Sequence, residues 1–231
     1  MHRADHSSTL KSKEVDEMQK LYAGLCGFLV ALSSANVHAQ WVPVTSNIRF
    51  TREILADGKL VTRQVKDGLF YRTDNGSTLT HWTHGDLDPK QPSGELFDNQ
   101  KVLTYQVFYE AKKAVEEAPM LSAPRRPDYD MDLKPVGSDS VEGVPCDTIA
   151  VEFAGPKMKQ QRVGSACVAR DLGLMLKQET TFNKPNGTTI HTLLEMHDIK
   201  LNVPPDKNEF DIVQTFAISK KPDNRAASRP E

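Results

Sequence analysis

Cysteine is scarce in this sequence, with three in 231 residues, so no disulfide-rich framework can be built from it. A surplus of one charge is missing too. Lys and Arg number 29 against 31 Asp and Glu, a formal net charge of -2, which leaves no electrostatic footprint for nucleic acid or for an anionic membrane surface. No apolar run reaches the ~18 to 20 residues that a bilayer-spanning helix needs, so no transmembrane span is expected. Nor is there a Gly-rich phosphate loop, since Gly137, Gly143 and Gly155 each read as turn markers. What is present is an ordinary globular composition, 38% apolar and 26% charged, enough for one domain or two small ones.

The first positive signal is an address. Residues 1–17 are polar and carry Asp5, Glu14, Asp16 and Glu17, unlike any targeting segment. From Met18 the pattern changes: Gln19-Lys20 is followed by an uncharged, largely apolar stretch from Leu21 to Ala35, then by Val37-His38-Ala39 before Gln40. This is the three-part layout of a secretory signal peptide, with cleavage expected between Ala39 and Gln40 and Met18 as the expected true start. The apolar stretch is too short for a relaxed membrane anchor and lacks a basic stop-transfer flank. Leu25 before Cys26 also argues against a lipoprotein box. The expected organisation is therefore a signal peptide over 1–39, a single β-rich domain over 40–218 and a polar tail over 219–231, exported to the periplasm or exterior of a bacterium.

Cleavage removes Cys26 and leaves Cys146 and Cys167. An even pair in an exported chain reads as one disulfide; two unpaired buried thiols are the alternative, which an oxidising compartment disfavours. The residues Gly155-Pro156-Lys157-Met158 lie midway between the cysteines, so antiparallel pairing about that turn sets Cys146 opposite Cys167. Such a bridge pins the register of strands that otherwise depends on Ile149, Val151 and Val163.

The mature chain reads as β almost throughout. Asp57-Gly58, Asp67-Gly68 and Asn75-Gly76 are tight-turn dipeptides, and the segments between them alternate and carry β-branched and aromatic residues. They predict a four-stranded meander over 46–84, followed by a loop over 85–94. Leu103 to Glu110 alternates as a strand, and Ala111 to Ala118 has the composition of a short helical turn. Residues 119–135, with Pro119, Pro124, Pro127, Pro135 and the Arg125-Arg126 pair, predict a loop that no regular element crosses. Strands are expected again over Thr148–Phe153, Gln161–Ala169, around Leu172, Leu174 and Leu176, and over Thr188–Lys200 after the Asn186-Gly187 turn. Phe210 lies in a closing segment. The economical architecture is one curved antiparallel sheet with little helix.

A resemblance gathers on these turns. Asp57-Gly58 with Arg63, Tyr71-Arg72-Thr73-Asp74-Asn75-Gly76, Val141-Glu142-Gly143-Val144-Pro145-Cys146, Ala169-Arg170-Asp171-Leu172-Gly173-Leu174 and His197-Asp198-Ile199-Lys200-Leu201 resemble secreted bacterial envelope proteins of uncharacterised function. Those proteins are similar to the LolA-type lipoprotein-carrier superfamily. The resemblance runs over roughly 45–215 and implies an incomplete, half-open antiparallel barrel with an apolar concave face. It also implies a lipid-like or acylated ligand, or an envelope protein partner.

Catalytic chemistry is thin. His81 and His84 stand three apart on a strand and are expected to face opposite ways, while His191 and His197 share a face at ~20 Å. No Cys or carboxylate cluster supports a metal site among them. Gly164-Ser165-Ala166-Cys167 lacks the strand-to-helix elbow of a hydrolase serine, and no carboxylate pair can be assigned to one cleft. No cofactor is called for, and an enzyme is the minority reading. The aromatic residues offer the positive hint. Phe70, Trp82 and Tyr105 are candidate lining residues of a ligand face, with plain core packing as the alternative. Two readings stay open: a binding or carrier module for an acylated ligand, and an interaction or sensor module with a filled core whose sheet edges or 119–135 loop contact a partner.

Overall fold

The computed structural model describes residues 41–117, 130–154, 162–184 and 186–220. The signal segment with Ala39 and Gln40, the Arg125-Arg126 pair, the Gly155-Pro156 turn and residues 221–231 lie outside the described residues. Twelve strands form one sheet: β1 (Val44–Ala56), β2 (Lys59–Arg72), β3 (Thr78–Gly85), β4 (Gly94–Asp98), β5 (Leu103–Phe108), β6 (Lys113–Glu117), β7 (Asp130–Val141), β8 (Val144–Ala154), β9 (Arg162–Ala169), β10 (Leu174–Asn183), β11 (Thr188–Leu201) and β12 (Ala217–Lys220). Their order is β12-β6-β5-β4-β3-β2-β1-β11-β10-β9-β8-β7. Two meanders, β1 to β6 and β7 to β11, are thus sewn together where β1 pairs with β11. The outermost strands β12 and β7 do not pair, so the sheet stays open. The fold is mainly β, an unclosed sheet as the sequence implied, with one departure: β12 lies parallel to β6, because the chain returns to that edge after crossing the sheet.

Local chemistry explains the hairpins. Asp57-Gly58 (φ 50° and 75°) and Glu142-Gly143 (φ 49° and 80°) both take left-handed conformations at two-residue turns, as primed hairpin turns require. The predicted turn at Asp67-Gly68 does not exist. Asp67 lies within β2 and its carboxylate accepts from Arg49 at 2.7 Å. Gly68 lies at a bulge where a Cβ would meet the His81 carbonyl oxygen at 2.4 Å. This glycine serves close backbone approach rather than a turn, so the meander over 46–84 has three strands instead of four. Ala111 to Ala118 is likewise corrected, since Lys113–Glu117 is strand β6 and Ala114 is buried opposite Val107. Tertiary pairing outweighs helix propensity there. β7 begins at Asp130, inside the stretch read as loop. Pro135 is tolerated because β7 is an edge strand with a bulge between Pro135 and Gly137.

The sheet curls. Arg72 on β2 donates from Nη1 to the Leu172 carbonyl at 2.6 Å, in the turn before β10. The Ile199 N–H on β11 donates to Glu142 Oε2, in the β7–β8 turn, at 3.2 Å. Each pair stands three strand steps apart, ~14 Å on a flat sheet at about 4.8 Å per step. Curvature removes that gap.

Partners across an antiparallel ladder share a face, so the registers define two. Ser46, Ile48 and Phe50 of β1 share one with Phe70 of β2, Trp82 and Thr80 of β3, Glu95 of β4, and Leu194 and Met196 of β11. We call this the Phe50 face. Arg49, Leu69, Tyr71, Leu79, Leu96, Tyr105, Val107 and Ala114 share the other, the Arg49 face. Each face carries a core. Val44, Ile48, Cys146, Cys167, Ala169, Leu174, Leu176 and Met196 form the first cluster, with Phe70 and Trp82 packed against it. Tyr71, Leu79, Leu96, Tyr105, Val107, Ala114 and Ile212 form the second, on the Arg49 face.

Cys146 and Cys167 are joined by a disulfide with Cα atoms 5.4 Å apart. They are diagonal rather than directly opposed, because Thr148 stands opposite Cys167. The β8–β9 pairing is centred one residue beyond the midpoint between the cysteines.

Candidate functional site

On the Phe50 face, β3, β2, β1 and β11 lay aromatic and aliphatic side chains in successive rows. One row runs Trp82, Gly68, Ile48, Met196. Gly68 contributes no side chain, and the Trp82 ring approaches Phe50 with centroids 6.3 Å apart at 58°. A tryptophan opposite a strand glycine fills the space the glycine leaves. The Trp82 backbone N–H donates to the Ser93 carbonyl at 2.8 Å, which holds the strand end beside the loop over 86–93.

The adjacent row runs Glu95, Thr80, Phe70, Ser46. It carries two unusual polar groups. Ser46 is 2% exposed and its Oγ has no hydrogen-bond partner among the described residues. Glu95 is half-buried, and burial, reinforced by the Glu117 charge, pushes its carboxyl up to about 7. A carboxylic acid held near neutrality can donate or accept a hydrogen bond. The short β4 pattern Gly-Glu-Leu-Phe-Asp carried a legible signal for this, since alternation puts Glu95 on the face of Phe97.

One end of the face is closed by an arginine that sequence reasoning passed over. Arg72 is 1% exposed. Its Nε donates to the Val42 carbonyl at 3.0 Å, and its Nη1 reaches the Leu172 and Gly173 carbonyls at 2.6 and 3.3 Å. The Trp41 ring lies 5.5 Å from Cζ, a cation–π arrangement. Burial lowers the Arg72 pKa to about 10, and Nη2 has no partner among the described residues. Three carbonyl dipoles therefore stand in for a carboxylate, tying Val42, β2 and the turn before β10 together.

Of the three residues predicted to line a ligand face, Phe70 and Trp82 pack against the same cluster. Tyr105 does not join them: it is 3% exposed within the second cluster on the opposite face. That face is sealed by the chain itself. After Asn202, whose N–H donates to the Pro43 carbonyl at 2.8 Å, the chain forms a short turn over Lys207–Phe210 and a helical turn over Ile212–Thr215. Ile212 is 2% exposed against Tyr71 and Tyr105, with Phe210, Val213 and Phe216 around it.

The histidines are dispersed. The bulge at Asp67 and Gly68 turns His84 to the face of His81, contrary to simple alternation. His81 stacks on Tyr109 with centroids 3.6 Å apart, and burial lowers its pKa. His191 meets Glu179 at 2.9 Å and His197 meets Glu142 at 3.7 Å. Among the described residues no group of three His, Cys, Asp or Glu is placed to hold a metal ion, and no helix is long and apolar enough to cross a membrane.

No family model matches the chain, and no curated protein matches it in sequence. Among solved structures it is similar to a LolA superfamily protein from Nitrosomonas europaea, at 11% identity and TM-score 0.33, over 78% of this chain and 94% of that one. It is similar to a putative outer membrane lipoprotein-sorting protein domain from Vibrio parahaemolyticus, at 10% identity and TM-score 0.30, over 83% and 95%. It is also similar to MucB, solved in complex with MucA(peri), at 16% identity and TM-score 0.31; the match covers 73% of this chain and 53% of that one.

Proposed function

We propose that the chain is an exported, non-catalytic protein of the bacterial envelope that holds a lipid-like or acylated amphiphile against its Phe50 face. The observation that carries this reading is the contrast between the two sets of aromatics. Tyr71 and Tyr105 are buried beneath the chain's own C-terminal segment, whereas Phe70 and Trp82 remain half-buried against the first cluster. Every described member of the first cluster comes from the strands or their turns, so no described segment plays the part that Ile212 plays opposite. An acyl chain along Trp82 and Phe70 exchanges water for apolar contact at ~25 cal/mol per Å². Glu95 and Ser46 supply hydrogen-bonding groups for the ester or amide at its head.

Trp41 and Trp82 are the two tryptophans of the chain, so a Trp41→Phe variant reports on Trp82 alone. Titration with myristate or a lysophospholipid is expected to shift Trp82 emission to the blue with saturation. Phe70→Ala should weaken binding about tenfold, worth ~1.4 kcal/mol, and Tyr105→Phe should leave it unchanged. Absence of any shift with either amphiphile rejects the reading.

A further inference from the structure

The two ends of the twelve-strand sheet are blunted, one by Pro135 and its bulge on β7 and the other by the brevity of four-residue β12. A third edge is left unpaired over a longer stretch, although it too carries a bulge, at Val61. β2 pairs with β1 along its whole length, but β3 pairs with it only from Lys66 onward. The reason is local. Gly85 (φ 96°) ends β3 so close that a Cβ would lie 2.1 Å from the Val65 carbonyl oxygen. Asp86 then receives the Val65 N–H on its carboxylate at 2.8 Å and returns its own N–H to the Val65 carbonyl at 2.9 Å. Val65 therefore directs both backbone groups outward. By the two-residue period of a strand Arg63 does the same, with no described acceptor or donor opposite.

Residues 59–63 are all exposed, with Leu60 at 56% and Val61 at 64%. The stretch Lys59–Lys66 contains Lys59, Arg63 and Lys66 and no carboxylate. Lys59 has no ion-pair partner among the described residues, and Arg63 reaches Glu53 only at 3.5 Å with 60% of its side chain exposed. Pairing of Lys59–Gln64 with a second copy would bring four cations into one ladder with no acid among them, which like-charge repulsion opposes.

We propose that the open edge of β2 over Lys59–Gln64 is a docking site for an extended, acidic segment of a partner protein, which adds to the sheet as a strand. Backbone groups of Arg63, beside the bulge at Val61, supply the ladder, Leu60 and Val61 supply apolar contact, and Lys59 and Arg63 select carboxylates over cations. Six residues of strand, ~20 Å at about 3.3 Å each, match a short linear segment. The site lies outside the Phe50-face cluster and stands apart from the amphiphile reading.

The test uses the whole chain and a fluorescent peptide of alternating Glu and Val, long enough to pair with the exposed stretch. Saturable binding is expected, with slowed amide exchange at Arg63. Binding should fall at least tenfold with a Lys-Val peptide, with N-methylation of alternate peptide amides, and with Lys59→Glu. Lys59 is exposed, so that variant is expected to keep the fold, which circular dichroism verifies. Equal binding of the Glu-Val and Lys-Val peptides, insensitivity to N-methylation, or no saturable binding overturns the proposal. Myristate titration of the same samples reads the Phe50 face separately, so failure of one reading is distinguishable from failure of the other.

Discussion

The two cores of this protein solve one problem in different ways. An open, curled sheet has two apolar faces and must keep both from water. On the Arg49 face the chain supplies its own cover, laying Ile212, Phe210, Val213 and Phe216 over Tyr71, Leu79 and Tyr105 before entering β12. On the Phe50 face the strands cover one another by curling, and the Cys146–Cys167 bridge sits within that cluster. The first solution completes itself. The second leaves Phe70 and Trp82 half-buried, which is the condition for a ligand face. The difference teaches that half-exposure of an aromatic carries information only when the opposite face shows what full coverage looks like.

The sharpest way to break this contrast is to damage the cover. Ile212→Ala should cost about 3 kcal/mol, the usual loss for truncating a fully buried aliphatic side chain. Urea unfolding measures it, and amphiphile binding on the Phe50 face should survive. Loss of that binding together with stability would mean that the two faces are not independent. Replacing both Cys146 and Cys167 by Ala should cost somewhat less, about 2 to 3 kcal/mol in the chain-entropy account for a closure of this length. Unlike Ile212→Ala, it should also weaken amphiphile binding, because the bridge packs in the same cluster as Phe70.

Glu95 sharpens the comparison through pH. Its folded pKa, about 7, lies above the ordinary carboxyl value near 4.5, so folding takes up a proton between the two. The sign follows: stability is greatest below the ordinary value, declines as pH rises toward 7 and is flat above it. Glu95→Gln should abolish the decline and raise stability at pH 8 by about 2 kcal/mol. Urea melts at acidic, neutral and alkaline pH are the check, and an unchanged slope would remove Glu95 from the site. The smallest effect belongs to an exposed part of the Arg49 face. Asp67→Ala breaks the exposed pair with Arg49 and should cost no more than ~1 kcal/mol, as exposed ion pairs do. A much larger loss would mean that the bulge at Gly68 depends on Asp67.

The resemblance to lipoprotein carriers and the alternation of short segments made the open β architecture legible, and the Asp57-Gly58, Glu142-Gly143 and Asn186-Gly187 turns stand where their dipeptides imply. Asp67-Gly68 has the same spelling and does something else, because a dipeptide cannot say whether a glycine is needed for a positive φ or for a neighbouring strand to approach. Lys113–Glu117 reads as helix former and becomes β6, since burial of Ala114 against Val107 depends on a partner strand. The same limit applies to the candidate site. Phe70 and Trp82 were placed together by period-two alternation, but Tyr105 could be sorted to the opposite face only by following the register through β3 and β4.

Export layout, β content, hairpin turns and the two cysteines of the mature chain are local or compositional properties, and the sequence by itself determined them as expectations. The rest is a matter of long-range pairing. That β1 meets β11, that Arg72 reaches across to Leu172, that the C-terminal segment covers one face and leaves the other, and that β3 departs from β2 at Lys66 to leave an open edge were all decided by the tertiary structure. The physical reason is register. A one-residue shift in any ladder exchanges the two faces of a strand, and register is set by bulges and by contacts between residues more than a hundred positions apart, which no window along the chain contains.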